Sequence, residues 1–213
     1  MSATLLQSKQ KALTSGSSVS LTLDASTTVG SVLFLASGAT TGQPSGGGVT
    51  TWQQVVVSGS NASLWWGLVD AASGTVSLGG LGRSGSAAFQ VAEFSGVDFS
   101  ASGVAIEAGA SGTSAAPNSG NATTSTRSLL VGAIAALSSW SSGLTGWTQF
   151  AEIAAQGGQI LRVAWRVADA GTYAASGTLS SSAGWGAAIL ALAETVSGGA
   201  GKGNLTLFMG GGS

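Results

Sequence analysis

Two pairs of carboxylates come closest to a catalytic arrangement in this sequence. Asp70 and Asp169 stand in similar local sequences, and so do Glu93 and Glu194. Two carboxylates about 5–10 Å apart across a cleft can hydrolyse a glycosidic bond. However, an Asp followed by Ala, Gly and Thr is typical of turns, and the two glutamates end apolar strands, where we expect them to be solvated or capped. We interpret all four as structural, with a glycosidase or depolymerase using Glu93 and Glu194 as an alternative.

The composition removes most other catalytic and metal chemistry. The 213 residues include no His and no Cys, which excludes a histidine base, a thiolate nucleophile, a disulfide framework and the usual structural zinc site. A calcium site needs several oxygen ligands, and the chain has only 8 Asp and Glu residues. The sequence therefore predicts a protein with no enzymatic activity, no metal and no cofactor.

Charge and hydropathy limit the classes of partner. Lys and Arg number 7 against 8 acids, so no basic face is available for a phosphate backbone. The longest apolar runs, around 129–137 and 185–193, have the length of strands and fall short of a membrane-spanning helix. Residues 1–11 place their lysines after a leucine pair, which differs from a secretory signal. We expect synthesis in the cytoplasm and neither a nucleic-acid nor a membrane partner.

Two tryptophans are the candidate contact residues for a partner or a glycan. Trp65 and Trp66 are adjacent, so on a strand their side chains point to opposite faces. Trp66 has a counterpart in Trp165 and is assigned to the core, which leaves Trp65, together with Trp140, as a candidate platform for a sugar ring or a neighbouring subunit. Arg162 and Arg166 flank Trp165 on one face of the same predicted strand, where we expect a solvated or inter-subunit stripe.

The pattern of apolar residues predicts an all-β protein. Gly is frequent at 35 residues, and short segments of alternating apolar and polar residues are separated by Gly, Ser or Asn. Helical periodicity is nearly absent. About ten short strands indicate an antiparallel β-sandwich, jelly-roll-like, built from two quasi-repeated halves.

The repeat rests on three echoes in the same order. Residues 48–54 resemble 143–149, residues 66–75 resemble 165–172, and residues 87–93 resemble 188–194. The matched Trp-x-Gln and Trp-x-x-x-Asp-Ala patterns are too specific for low complexity alone. We also expect residues 18–23 to correspond to residues 104–110.

The repeat predicts a domain organisation of three parts. Residues 1–16 form an N-terminal arm, and residues 198–213 form a Gly-rich tail with one strand-like segment. Between them, residues 17–197 form a single β-sandwich domain with half-repeats of about 17–97 and 104–196. The tail carries Leu205, Leu207 and Phe208, candidate contacts with a sheet edge in this subunit or another.

Several stretches resemble a known class of proteins. Residues 21–35, 91–97 and 173–179 are similar to β-sandwich domains of tailed-phage structural proteins and bacterial surface proteins, and residues 203–208 resemble short strand-like tail motifs of phage virion proteins. The resemblance implies a virion component assembled in the host cytoplasm, such as a capsid decoration (cement) protein, a head fibre or a tail appendage. It also implies the major capsid protein or another virion protein as partner, together with a homo-oligomer, for which we expect a trimer. No catalytic motif is carried over. The alternative is a carbohydrate-binding or host-receptor-binding module, an adhesin with Trp65 or Trp140 as its platform.

Overall fold

The described part of the chain is built entirely from β-strands, turns and loops. The structure, a computed structural model, describes residues 2–14, 16–39, 41–55, 62–78, 87–99, 105–155 and 157–195. Within these ranges there is no helix of the length and apolarity that a membrane crossing requires. All the strands pair antiparallel, and the predicted all-β, antiparallel, sandwich-like fold is confirmed.

The first half of the chain, residues 4–95, contains eight strands. Their bounds are β1 (Thr4–Leu13), β2 (Val19–Thr22), β3 (Val32–Ser37), β4 (Ser45–Gly46), β5 (Gln53–Val55), β6 (Ser63–Leu68), β7 (Thr75–Leu78) and β8 (Ala87–Ser95). They form a five-stranded sheet of order β1-β8-β3-β6-β5 and a three-stranded sheet of order β2-β7-β4.

The second half, residues 106–193, repeats this plan. Its strands are β9 (Ile106–Ser114), β10 (Ala122–Thr124), β11 (Ser128–Ala136), β12 (Trp140–Ser142), β13 (Thr148–Gln149), β14 (Ile153–Ala154), β15 (Ile160–Ala168), β16 (Gly171–Tyr173), β17 (Thr178–Leu179) and β18 (Ala183–Ala193). The larger sheet has the order β9-β18-β11-β15-β13, with β14 also on β15, and the smaller layer consists of the pairs β10-β16 and β12-β17.

The sheets stack as four layers with three apolar interiors. One interior lies between the two sheets of the first half, and another lies inside the second half. A third interior joins the two larger sheets and contains side chains from both halves. The two larger sheets are therefore covered on both faces. This explains why Val32–Ser37 and Ser128–Ala136 are buried along their whole length, since a strand buried on both faces needs no polar alternation.

This arrangement differs from the single sandwich of about ten strands that the spacing suggested. The described residues form 18 strands, and each half has its own sandwich interior. The additional strands are mostly two to four residues long, too short to show a hydrophobic pattern.

Strand register confirms two echoes of the repeat and corrects the third. Phe34 on β3 and Val131 on β11 are equivalent when these two strands are aligned. Trp66 lies opposite Phe34 and Trp165 lies opposite Val131, so the two tryptophans are equivalent as well. By the same register Glu93, opposite Leu33, is equivalent to Ala191, opposite Leu130. The predicted equivalence of Glu93 and Glu194 is therefore wrong by three positions. Runs of Ala and Leu in this segment allow more than one alignment.

The N-terminal arm is also corrected, because most of it is an integral strand. β1 pairs with β8 from Thr4 to Leu13, and β9 occupies the same place beside β18. By position in the sheets, β2 corresponds to β10, so the expected match of residues 18–23 with 104–110 is wrong. The repeat thus begins at β1. The C-terminal tail, with Leu205, Leu207 and Phe208, lies outside the described residues.

Candidate functional site

Trp65 is not an exposed platform. Its side chain is 8% exposed, and its indole Nε1–H donates a hydrogen bond to Thr41 Oγ1 at 3.0 Å. Trp65 and Trp66 do point to opposite faces of β6, as expected, and they enter different interiors. Both are buried because β6 lies in a sheet that is covered on both sides. The core assignment of Trp66 is confirmed and the contact assignment of Trp65 is wrong.

Trp140 lies half-buried on β12, in the outer layer of the second half. The Arg162 guanidinium lies 4.9 Å from the centre of its ring, and Arg162 also forms an ion pair with Glu152 at 2.7 Å. A charged group therefore already covers one face of the indole, which limits its use as a stacking surface for a sugar.

Glu93 is a buried structural carboxyl group and not a solvated one. It is 0% exposed. Its Oε1 accepts hydrogen bonds from the Thr28 backbone N–H and the Ser31 hydroxyl, both at 2.6 Å. Its Oε2 accepts one from the Gln7 amide at 2.6 Å. The group thereby connects β8 with β1 and with the loop before β3.

Glu194 performs a similar task directly after β18. It is 9% exposed, and it accepts hydrogen bonds from the Ala3 backbone N–H and the Ser2 hydroxyl. Its other oxygen receives the Arg127 guanidinium at 2.8 Å. Glu93 and Glu194 share no bonding partner among the described residues. Of the two expected alternatives, solvated or capped, both follow the second, since each is buried and accepts a hydrogen bond from a backbone N–H.

The aspartates fit the turn interpretation. Asp70 accepts a hydrogen bond from the Thr50 backbone N–H at 3.1 Å. Asp169 is exposed, and its backbone carbonyl accepts a hydrogen bond from the Tyr173 hydroxyl at 2.7 Å. Among the residues placed in the structure, no group of three or more acidic side chains could share a metal ion.

A polar groove in the outer layer of the second half is the strongest candidate site. It measures about 400 Å³ and lies between residues 142–147 and residues 172–178. Arg166 of β15 lies between two aromatic rings, 5.9 Å from the centre of Trp147 and 5.3 Å from that of Tyr173. The remaining lining includes five hydroxyl side chains: Ser142, Thr145, Thr172, Ser176 and Thr178. We call this feature the Arg166 groove.

Strand substitutions between the halves change how the second sandwich is filled. Leu35 and Trp65 lie opposite each other in the first half, and both are buried in its sandwich interior. The equivalent pair in the second half is Gly132 and Ala164. The space over Gly132 is filled instead by Ala175, Leu144 and the ring of Trp147, which lines the groove.

The two halves also differ at residue 67 and in the outer sheet. Gly67, the equivalent of Arg166 by register, has no room for a side chain, because an added Cβ would collide with Val49 Cγ1. In the first half, β7 is continuous and pairs with both β2 and β4. In the second half the corresponding segment is split into β16 and β17, and the groove lies beside the split.

The Arg166 guanidinium has no countercharge within the described chain. Arg127 and Arg162 both form ion pairs, whereas Arg166 forms none with a described residue, and its buried Nε has no hydrogen-bond partner there. No acidic side chain lines the groove. The arrangement suits an anionic ligand with hydroxyl groups, and the lining offers no carboxylate to act as base or nucleophile.

The sequence pattern indicates Arg166 but not the groove. The spacing of Arg162 and Arg166 predicts that both lie on one face of a strand, in a solvated or inter-subunit stripe, and β15 has them on one face. The available signal was the exchange of Gly67 for Arg166 within the matched 66–75 and 165–172 segments. The exchange indicates a groove only when the positions of the neighbouring strands are known.

Comparison of the chain with protein-family models found no match, and neither curated protein sequences nor solved structures gave a match to it.

Proposed function

We propose that this protein is a non-enzymatic structural component of a tailed-phage particle, one that decorates or stabilises the capsid or forms a head or tail appendage. The observation that carries the proposal is the outer edge of β9, a nine-residue strand at the border of a central sheet, with which no described strand pairs on that side. Such an edge presents backbone N–H and C=O groups to which another chain can add a strand.

The outer strands of the two central sheets differ in their charged residues. The outer strand of the first half, β1, carries Lys9 and Lys11. Their ammonium groups contact Asp24 and the Ser20 carbonyl, and two lysines on an edge strand still discourage pairing with another chain. The outer strand of the second half, β9, contains a single charged residue, Glu107. The carboxylate of Glu107 accepts a hydrogen bond from Trp66 Nε1 at 3.1 Å and is thus engaged within the protein. β9 is therefore the edge suited to assembly.

The strand order of each half supports the same proposal. In both halves the first strand lies beside the last, and the last lies beside the third. The facing layer consists of β2, β4 and β7 in the first half and of β10, β12, β16 and β17 in the second. A double sheet of eight strands with this kind of order is typical of jelly rolls, which occur in viral capsid proteins and in lectins.

Electron microscopy of particles made with and without this protein tests the proposal. We expect additional density at symmetric positions on the head or the tail of particles that contain the protein. Particles made without it should lack that density and be otherwise intact or less stable. Identical particles, together with the absence of the protein from purified virions, would contradict a structural role.

The proposed strand pairing has two parts, the edge of β9 as acceptor and the C-terminal residues 198–213 as donor, and each can be tested separately. Thr113 is exposed near the end of β9, and Thr113→Lys places a charge on the edge. Removal of residues 198–213 takes away the segment with Leu205, Leu207 and Phe208. We expect each change to reduce incorporation into particles at least about tenfold, which corresponds to about 1.4 kcal/mol of contact free energy, measured by quantitative gel analysis of purified particles.

The same substitution in a loop provides the control. Thr126→Lys adds an equal charge at an exposed position between β10 and β11 and should leave incorporation unchanged. Circular dichroism should show that all three variants are folded. Normal incorporation of both Thr113→Lys and the truncated protein would refute strand pairing at β9.

A second candidate function is carbohydrate recognition, and the Arg166 groove is the observation that favours it. Aromatic rings and hydroxyl side chains converge there on one surface depression. Its volume of about 400 Å³ lies within the range of small-molecule sites. A virion protein that binds host or environmental glycans would combine both functions in one chain.

A further inference from the structure

We propose that the Arg166 groove binds an acidic saccharide, with the sugar carboxylate at the guanidinium of Arg166. The inference rests on the second candidate function, carbohydrate recognition, and adds the class of sugar. Neither Trp65 nor Trp140 takes part in it. The site is formed by Arg166, Trp147, Tyr173 and the hydroxyl side chains around them.

The guanidinium is held in place before any ligand arrives. Trp147 and Tyr173 lie at 5.9 Å and 5.3 Å from it, and the Tyr173 hydroxyl is itself anchored on the Asp169 carbonyl. A positioned guanidinium presents donors in a planar arrangement that matches a carboxylate. Because the side chain is already ordered, little conformational entropy is lost on binding.

Electrostatics favours an anionic ligand over a neutral one. Arg162, four residues earlier on β15, has Glu152 as its partner at 2.7 Å. Arg166 has no ion pair with a described residue, and the groove lining contains no acid. A carboxylate in the groove supplies the missing countercharge and forms charge-assisted hydrogen bonds, which are stronger than neutral ones.

The rest of the lining favours a saccharide over a simple anion. Five hydroxyl side chains line the groove, and hydroxyls can both donate to and accept from the hydroxyl groups of a sugar. The two aromatic rings offer apolar surface to the C–H groups of a sugar ring. A simple anion would use Arg166 alone and leave the other groups without a role.

Comparison with the first half of the chain predicts how many ligands each chain binds. Gly67 stands where the second half has Arg166, and it has no room for a side chain. Trp52, the equivalent of Trp147, is buried. The first half therefore cannot form a second copy of the site, and we expect one ligand per chain.

Calorimetric titration with matched sugars tests the inference. The probes are trigalacturonic acid and sialyllactose, together with the methyl ester of the first and lactose as the neutral counterpart of the second. We expect each acid to bind at least about tenfold more tightly than its neutral counterpart, since a hydrogen bond to a charged group is stronger than one to a neutral group. Arg166→Gln should abolish this preference, and Trp147→Ala should weaken the binding of both acids.

Two controls separate the site from general effects of charge and folding. Lys11→Gln removes the same charge from β1, on the other half, and should leave the affinity unchanged. Thermal unfolding of each variant verifies folding, and Arg166→Lys provides a milder change. It keeps the charge but loses the planar donor set, and we expect it to retain only part of the preference.

The possible failures of the titration are distinguishable. Equal binding of acids and neutral counterparts would overturn the carboxylate inference and leave carbohydrate recognition standing. Binding of acetate or inorganic phosphate as tightly as trigalacturonic acid would overturn the saccharide part. No binding of any probe would overturn both. None of these results bears on the incorporation of the protein into particles.

Discussion

Replacement of Phe94 by alanine is expected to lower the free energy of unfolding by about 3–5 kcal/mol. Phe94 is 0% exposed on β8, and its ring meets Phe34 edge-on at 5.6 Å and Trp165 at 5.2 Å. Phe34 belongs to the first half and Trp165 to the second. The cavity would therefore open in the interior that joins the two halves, where rigid strands on both sides cannot collapse into it.

Chemical denaturation followed by tryptophan fluorescence measures this loss. Phe99→Ala is the matched control, because Phe99 is only partly buried, although it stacks on Trp66 at 6.2 Å. We expect it to cost less than half as much. A loss below about 1.5 kcal/mol for Phe94→Ala, well under the usual cost of a buried Phe, would show that the central interior is not well packed. Two separate transitions in the unaltered protein, with only one displaced by the variant, would show that the halves unfold independently.

Replacement of Glu93 by alanine is expected to cost about 3 kcal/mol or more. Three hydrogen bonds to the carboxylate are lost at once, from the Thr28 N–H, the Ser31 hydroxyl and the Gln7 amide. The Ser31 hydroxyl and the Gln7 amide keep the Thr28 and Ala25 carbonyls as acceptors, whereas the Thr28 N–H is left without one. A hydrogen bond to a charged group contributes about 1.5–3 kcal/mol, and a buried donor left unsatisfied costs about 1–3 kcal/mol. Glu93→Gln keeps one acceptor oxygen and the side-chain volume, so we expect it to cost less than Glu93→Ala.

Equilibrium denaturation and hydrogen exchange at β1 measure the consequences. Since Gln7 lies on β1, loss of its partner should accelerate exchange of backbone amides in Thr4–Leu13 more than in β11. Asp24→Asn is the control for charge, because Asp24 forms an exposed ion pair with Lys9, and such pairs contribute about 0–1 kcal/mol. If Glu93→Ala and Asp24→Asn had the same effect, the assigned role of Glu93 would be wrong.

Local patterns predicted the class of fold and part of the repeat correctly. Alternating residues in Val19–Thr22 and continuous apolar residues in Val32–Ser37 both form strands. The Trp52 and Trp147 segments are equivalent by register, since the residues that follow them lie opposite Trp66 and Trp165. Tryptophan is rare and large, so its matches are specific. Alanine and leucine are common here, and the alignment around Glu93 failed for that reason.

The edges of the repeat were harder to predict. β1 is polar from Gln7 to Lys11 and contains two lysines, which resembles a solvated arm. Its assignment as a strand depends on pairing with β8, whose residues come 74 (Leu13 to Ala87) to 91 (Thr4 to Ser95) positions later in the chain. Local sequence contains no information on so distant a partner.

The sequence by itself determined the strand-forming character of the chain, its low charge and the alternation of faces that separates Trp65 from Trp66. Only the tertiary structure decided whether each face is covered, because coverage depends on which sheets stack. Stacking on both sides of the central sheets buried Trp65 and Glu93. Where the first half has Leu35 and Trp65, the second half has Gly132 and Ala164, and the ring of Trp147 lies over Gly132. The Arg166 groove exists in only one of two halves that share a strand order, because Val49 fills the place over Gly67 in the first half and the outer strand is split into β16 and β17 in the second.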